Sequence, residues 1–309
     1  MKLKIKVPAT TANLGCGFDC LGISLKLYNE LEIETGNRNN SNQPLFEIIG
    51  EGKEKLLKNE NNIILKAMNE IFKINRKKDF KKYILKITSK NNIPLARGLG
   101  SSASAYLSGL IGANILTNNK LSDRQIIEMA IKFEGHPDNV IPAFYGGLCL
   151  CYKENNRINW IKIDNVLDKL KAIICIPDFE LETKKARKVL PQKIKLENCV
   201  FNVSRIGLLI YSILKKKYNL LFESMNDKLH QPYRAELVPG LYEIFKKSKG
   251  KGVLGIALSG SGPSIFAISE PSKANFIGKT IVNIWKKYKI NSYFIILDFD
   301  FTGTVTIKH

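Results

Sequence analysis

Residues 94–105 read PLARGLGSSASA, and the fold and function of the chain are read outward from them. Gly98 and Gly100 remove side chains where the backbone must turn sharply. Ser101 and Ser102 follow at once, and an apolar helix-forming run (Ala103, Ala105, Leu107, Leu110) begins directly behind them. A glycine turn that opens a helix exposes unpaired backbone N–H groups at the positive end of the helix dipole, which is an anion site. The serine hydroxyls add short donors within reach of phosphate oxygens or a phosphate-bound metal. A Walker loop needs Lys directly after its last glycine, and Ser101 stands there instead. The dinucleotide pattern G-x-G-x-x-G/A fits Gly98, Gly100 and Ala103, but that loop follows directly on a strand. Here the predicted strand Tyr83–Thr88 is separated from Gly98 by nine residues that include Pro94. The acidic residue expected about 20 positions on would be Asp123, which reads as the first turn of a helix behind Ser122. A glycine turn without a ligand is the remaining local reading, and the rest of the chain has to choose.

The chain has 309 residues, enough for one large or two interlocked α/β units with a full core. Hydrophobic content is an ordinary 44%, and no apolar run approaches the ~18 residues of a membrane-spanning helix. The start, MKLKIKVPAT, alternates apolar and polar as a strand does and lacks the continuous apolar core of a secretory signal, so a cytoplasmic location is expected. Six cysteines form no CxxC pair, and Cys149 and Cys151 flank Leu150 on one face of a predicted strand. With only His136, His230 and His309 besides, the cysteines read as buried or incidental thiols rather than a zinc site.

The net charge of +20 raises nucleic acid as a partner. Nucleic-acid readers favour arginine forks clustered with aromatics, whereas here eight of the 48 basic residues are Arg and the other 40 are scattered Lys. Abundant Lys, Asn and Ile together fit an A+T-rich coding composition, and runs such as Lys215–Lys217 read as solvated helix ends. The charge is therefore read as mostly compositional, and neither a nucleic-acid nor a membrane partner is expected.

Strand-like segments are predicted at 2–7, 21–34, 45–50 and 82–89, with a helix near 62–74 and a polar surface loop at 36–44 (GNRNNSNQP). Helices are predicted at 102–116 and 123–133, then strands at 147–153, 158–163 and 171–176. The later part alternates helices (183–189, 202–217, 239–248, 271–287) with strands (253–258, 264–269, 292–299). Strands scattered between helix pairs indicate an α+β fold rather than a doubly wound sheet.

Four ordered blocks now choose among the readings of the glycine loop. The pattern P-x-x-x-G-L-G-S-S-[AS]-[AS] over residues 94–104 resembles the phosphate loop of the kinases named for galactose, homoserine, mevalonate and phosphomevalonate, the GHMP kinases. VPATTANLGCGFDCLGISL (7–25) is similar to their first motif and LSGSGPSIFAI (258–268) to their third. EGHPDNVIPAFYGG (134–147), together with Ala96-Arg97 before Gly98, most resembles the homoserine kinases. The resemblance runs from Val7 to LDFDFTGTV (297–305), essentially the whole chain. It implies two α+β halves, a ribosomal-protein-like N-terminal one over 1–155 and a ferredoxin-like α/β sandwich over 156–309, with ATP and substrate between them. The implied activity is ATP- and Mg²⁺-dependent phosphorylation of the L-homoserine hydroxyl, a step towards threonine. Dimers are common among such relatives.

Phosphoryl transfer is mostly positioning plus charge neutralisation, so the site must supply a cradle, a metal and an acceptor clamp. Pro94, Leu95, Ala96, Arg97, Gly98, Leu99, Gly100, Ser101, Ser102, Ala103 and Ser104 are the expected cradle, and Asn62, ahead of the helix at 63, is expected to cap that helix and touch the nucleotide. For magnesium, Glu128 resembles the metal-binding Glu of the family. Its neighbours Ile126, Ile127 and Met129 are apolar, so partial burial is expected, with Ser101 or Ser102 completing the site. An amino-acid acceptor calls for arginines on its carboxylate, and Arg187 and Arg234 match substrate-binding arginines of homoserine kinases. Asp19 is expected to take the ammonium, while Asn13, His136, Asn139 and Gly260 match positions lining the pocket. Asp138 resembles the place where mevalonate kinases carry a catalytic Asp. The alternative is that Asn13 and Asn139 simply hold the hydroxyl in line. Cys16 stands where most relatives carry Pro.

Overall fold

A computed structural model of the chain describes residues 1–36, 45–74 and 84–308. Most of the expected polar loop at 36–44 and the first residues of the strand expected at 82–89 lie outside the described residues. The N-terminal alternation becomes β1 (Lys2–Ala12), which pairs antiparallel with β2 (Leu21–Thr35) from Lys2↔Glu34 to Ala12↔Gly22. On one face of that pair Leu3, Ile5, Val7, Leu31 and Ile33 are fully buried. On the other, Lys4 bridges Glu30 at 2.6 Å and Lys90 bridges Glu32 at 2.9 Å, the period-2 partition expected of a half-solvated sheet. β3 (Leu45–Gly50) runs parallel to β4 (Ile84–Asn91), and β4 pairs with β2.

Four helices cover the apolar face: α1 (Ile63–Ile74), α2 (Ser101–Leu116), α3 (Asp123–Glu134) and α4 (Pro137–Tyr145). α2 lies closely against α1, because a Cβ on Gly109 would stand 2.6 Å from the Ile64 carbonyl oxygen. α4 was not among the predicted helices; Pro137 fixes its first turn. β5 (Leu148–Glu154) pairs with β2 and with β6 (Arg157–Ile163), and both Cys149 and Cys151 are buried on one face of β5.

The second sheet holds β7 (Lys171–Pro177), β8 (Val253–Leu258), β9 (Ile265–Ser269) and β10 (Ser292–Leu297) in the antiparallel order β10-β7-β9-β8. Fourth, first, third, second is the ferredoxin-like order expected from the resemblance. Between β7 and β8 run α5 (Thr183–Lys188), α6 (Leu196–Leu214), α7 (Leu221–Ser224), α8 (Gln231–Arg234) and α9 (Leu241–Ser248). α10 (Pro271–Lys287) joins β9 to β10. Finally β11 (Val305–Lys308) leaves this half and pairs antiparallel with β1.

That topology corrects the expected division at 155/156. Asn155 and Asn156 both have positive φ and form the two-residue turn of the β5–β6 hairpin. Residues 157–163 and 305–308 therefore belong to the first sheet. One apolar cluster is common to both halves, joining Leu14, Leu21, Ile23 and Leu148 to Ile174, Leu209 and Phe266. Between the halves the end of β1 is laced to both glycine turns. Thr10 N–H donates to the Leu99 carbonyl at 3.1 Å and Gly260 N–H to the Ala12 carbonyl at 3.2 Å. The Ser259 hydroxyl donates to the Gly98 carbonyl at 2.7 Å.

Candidate active site

One cleft between the halves is lined by the 94–102 turn, the residues just after β1, the start of α4, one face of α5, Arg234 and Gly260–Ser261. At its first end the chain turns with Gly98 at φ 73° and Gly100 at φ 71°. A Cβ on Gly98 would lie 2.0 Å from the Ser259 carbonyl oxygen, and one on Gly100 would lie 2.1 Å from the Thr10 hydroxyl. Only glycine fits both the dihedrals and the space. Gly100 caps α2 with no side-chain hydrogen bond, so no side chain competes for the first N–H groups of the helix, and Ser101 and Ser102 line the cleft beside them.

Two expected cradle side chains, Ala103 and Ser104, are turned elsewhere, and Arg97 is engaged with the other half. Ala103 is fully buried, and the Ser104 hydroxyl donates to the Ser101 carbonyl at 2.8 Å while accepting from Asn29 at 2.8 Å. The Arg97 guanidinium donates to the carbonyls of Pro177 and Asp178, each at 2.9 Å, and straps the turn to the other half. Leu99 is largely buried, and Pro94, Ala96, Arg97 and Leu99 all border the cleft.

A second cavity of about 330 Å³ opens beside the turn and shares Ala96, Ser101 and Ser102 with the cleft. Its walls include Ile48, Leu56, Ile63, Ile64, Leu95 and Ala105. Asn62 borders it and caps α1 as expected: its Oδ1 accepts from Ile64 N–H at 2.9 Å, and its Nδ2 donates to the Leu57 carbonyl at 2.7 Å.

The expectation for Glu128 is corrected. Its side chain is 47% exposed and paired with Arg124 at 3.0 Å, one turn away on the solvent face of α3. The α3 carboxylate that lines the cleft is Glu134, at the end of that helix. Glu134 follows the buried Ile127 by seven residues and the buried Ala130 by four, so helical periodicity alone places it inward. Burial pushes its carboxyl above the usual range, against the opposing pull of a hydrogen bond from Ser102 and of His136. Among the described residues no group of three or more His, Cys, Asp or Glu is placed to hold a metal. Glu134 with the Ser102 hydroxyl at the start of α2 is a pair of hard oxygen donors rather than a complete metal site.

The other end of the cleft is built from charged side chains. Asp19, at φ 58°, takes Arg187 in a bidentate pair, with Nη1 at 3.0 Å and Nη2 at 2.6 Å. The two residues expected at opposite ends of a zwitterion are thus bonded to each other across the halves. Arg234 is 1% exposed and donates to the carbonyls of Gly260 and Ala186 at 3.1 and 3.2 Å and to His230 Nδ1 at 3.0 Å. Burial and the neighbouring Arg187 push its pKa down to about 10. Burial also lowers the His230 pKa, which suits a neutral ring whose Nε2–H donates to the Gly15 carbonyl at 2.8 Å. Phe18, which the sequence reading passed over, has the guanidinium carbons of Arg187 and Arg234 at 5.5 and 5.4 Å from its ring centre.

Between the two ends lie Asn13, Asp138 and Asn139. Asn13 accepts from the Asp19 N–H at 3.0 Å and donates to the Gly260 carbonyl at 2.9 Å. Asn139 accepts from the Thr10 hydroxyl at 2.7 Å. Asp138 is 1% exposed and sits 2.6 Å from His136 Nδ1. Burial works against the imidazolium, but the bond to Asp138 and the charges of Asp138 and Glu134 outweigh it and raise the His136 pKa.

Residues 62–147 match the GHMP kinases N terminal domain, and residues 209–286 match the GHMP kinases C terminal domain. A homoserine kinase of Clostridium botulinum (strain Alaska E43 / Type E3) is 41% identical over 310 residues, covering 99% of each chain. One of Carboxydothermus hydrogenoformans is 37% identical over 94% of this chain and 92% of its own. The crystal structure of homoserine kinase from Cytophaga hutchinsonii superposes with a TM-score of 0.86 at 29% identity, over 99% of this chain and 97% of that one. In sequence along its whole length and in fold, the chain belongs to the GHMP kinases, in the branch of the homoserine kinases.

Proposed function

We propose that this protein transfers the γ-phosphoryl group of ATP to the side-chain hydroxyl of L-homoserine, giving O-phospho-L-homoserine for threonine synthesis in the cytoplasm. The observation that carries the reading is that the α2 glycine turn and the Asp19, Arg187 and Arg234 charges line one cleft together with Asn13, Asp138 and Asn139. The turn offers backbone N–H groups to the β- and γ-phosphates, each worth roughly 1.5–3 kcal/mol to a charged oxygen, so no P-loop lysine is required. The apolar cavity beside it, between Ile48 and Leu95, suits the adenine ring. Glu134 with the Ser101 or Ser102 hydroxyl would hold magnesium, which when bound offsets the charge of the transferring phosphoryl group.

At the far end the ammonium of the acceptor takes Asp19, and its carboxylate takes Arg187 and Arg234. The hydroxyl is then directed towards Asp138 and Asn139. Asp138, fixed by His136, receives the hydroxyl proton, and Asn13 and Asn139 hold the oxygen in line with the phosphorus. A general base contributes about 10²–10⁴-fold, so Asp138→Asn should lower kcat by that factor with KM little changed. A rise in KM alone would reduce Asp138 to a positioning role. The decisive measurement is coupled ADP release with L-homoserine and, separately, with mevalonate. Turnover is expected with the amino acid, and a clear preference for mevalonate would overturn the assignment.

A further inference from the structure

The Arg187 guanidinium is held by two residues that are neighbours in sequence. One is Asp19, whose carboxylate accepts from it at 3.0 and 2.6 Å. The other is Phe18, whose ring centre lies 5.5 Å from Arg187 Cζ. Arg234 Cζ stands 5.4 Å from the same ring centre. A guanidinium over an aromatic ring within about 6 Å is drawn to its negative π face, so one neutral ring serves two cations. His230 stacks on Phe18 with ring centres 5.1 Å apart and 27° between the planes. Burial lowers the pKa of that imidazole, so it stays neutral and adds no third charge. Asp19, Arg187 and Arg234 line the cleft, and Phe18 does not.

The two arginines are anchored unequally. Arg234 keeps its hydrogen bonds inside the protein, to the carbonyls of Ala186 and Gly260 and to His230 Nδ1. Arg187 stands on α5, a helix of six residues of which only Ala186 is buried. On the proposed function the acceptor's ammonium takes Asp19, and Arg187 then loses its carboxylate while it still faces the charge of Arg234. The two cations repel: after burial, the charge of Arg187 is the next cause that lowers the Arg234 pKa. A long side chain on a short surface helix, released beside a like charge, swings towards water unless something else holds it. The Asp19 backbone does not follow its carboxylate, because its N–H donates to Asn13 Oδ1 at 3.0 Å. Phe18, the residue before it, therefore stays in place during the exchange.

We infer that Phe18 is a positioning residue: its ring retains Arg187 beside Arg234 while Asp19 turns to the acceptor, so that both guanidiniums address one carboxylate. The role of the ring is electrostatic as well as steric, since a space-filling side chain would hold no cation. The inference rests on the proposed function for the identity of the acceptor, and on the geometry alone for the hold on Arg187.

Incorporation of mono-, di- and trifluorinated phenylalanine at position 18 of the full chain keeps the shape of the ring and weakens its π face in steps. KM for L-homoserine should rise at each step, reaching about tenfold in the trifluorinated protein and in Phe18→Leu, while kcat and KM for ATP stay within about twofold. Phe18→Tyr, which keeps the π face, should hold KM near the wild-type value. A KM that does not move along the fluorine series overturns the proposal even if Phe18→Leu is impaired, because packing does not depend on the charge distribution of the ring. Crystal structures separate this result from the assignment of the acceptor. In Asp19→Gly, which suits the positive φ of that position, Arg187 Cζ should remain within about 6 Å of the Phe18 ring centre. In Asp19→Gly/Phe18→Leu it should swing away. An Arg187 that leaves in the single variant, or stays in the double one, overturns the proposal whatever the acceptor. A wild-type chain without turnover on L-homoserine overturns the functional reading instead, and the position of Arg187 then decides the inference alone.

Discussion

At the phosphate end of the cleft the working groups belong to the backbone: two glycines with positive φ and the N–H groups of the first turn of α2. At the acceptor end they are ionic side chains from separate segments, and each already has a partner. Arg187 holds Asp19, His136 holds Asp138, and Arg234 holds two carbonyls and an imidazole. Peptide dipoles need no counter-charge, so the first end stands ready without self-neutralisation. Charged side chains drawn out of water do need one, so on the proposed function the second end would bind by exchange. A zwitterion would replace the Asp19–Arg187 pair with two pairs, and its net affinity would be the difference between them.

The sharpest break of this contrast is Arg234→Ala. Removing a buried, hydrogen-bonded charge should raise KM for L-homoserine by about 10²–10³-fold, while KM for ATP moves only a few-fold. Equal effects on both substrates would mean that the two ends are one unit. Next comes Gly98→Ala, whose Cβ has to displace the Ser259 carbonyl. A displacement of about 1 Å at the turn should cost about 10²-fold in kcat/KM, and activity within twofold of wild type would show the cradle to be pliant. Glu134→Gln tests the cleft carboxylate that is hydrogen-bonded to Ser102. The magnesium concentration for half-maximal rate should rise about tenfold or more, whereas Glu128→Gln should leave it unchanged. If Glu128→Gln has the larger effect, the correction to the metal position fails.

The smallest effect refines the exchange argument. Asp19 and Arg187 are each about a third exposed, so their coupling in a thermal double-mutant cycle should be no more than about 1 kcal/mol. It should be present without L-homoserine and vanish at saturation. Coupling that persists unchanged with substrate would show that the acceptor binds without breaking the pair.

Legibility in the sequence follows the same division. The glycine cradle was readable because its cause is local: small residues, a turn and a helix start within twelve positions. The strands of the first sheet were readable from alternation. The acceptor residues came only through family resemblance, since no local pattern brings Asp19, His136, Arg187 and Arg234 together. Glu128 has apolar neighbours in sequence that are not its neighbours in space. Its i, i+4 partner Arg124 marked a solvent face, and the spacing from Ile127 and Ala130 marked Glu134. The division expected at 155 falls inside a hairpin, because Asn155-Asn156 is its turn. The pairing of β11 with β1 had no local signal at all.

That last pairing sets an order of events during synthesis. Leu3 faces Lys308 and Lys6 faces Val305, so the sheet that underlies the glycine turn lacks one strand until residues 305–308 have been translated. The β2–β1 hairpin and the helices over it can assemble on the ribosome, but one flank of β1 stays unpaired while the whole ferredoxin-like half is being made. Contacts of such sequence separation slow folding, and an unpaired strand edge invites association in the interval. Chaperone demand should therefore fall late, around the emergence of residues 305–308, rather than at the emergence of the N-terminal half.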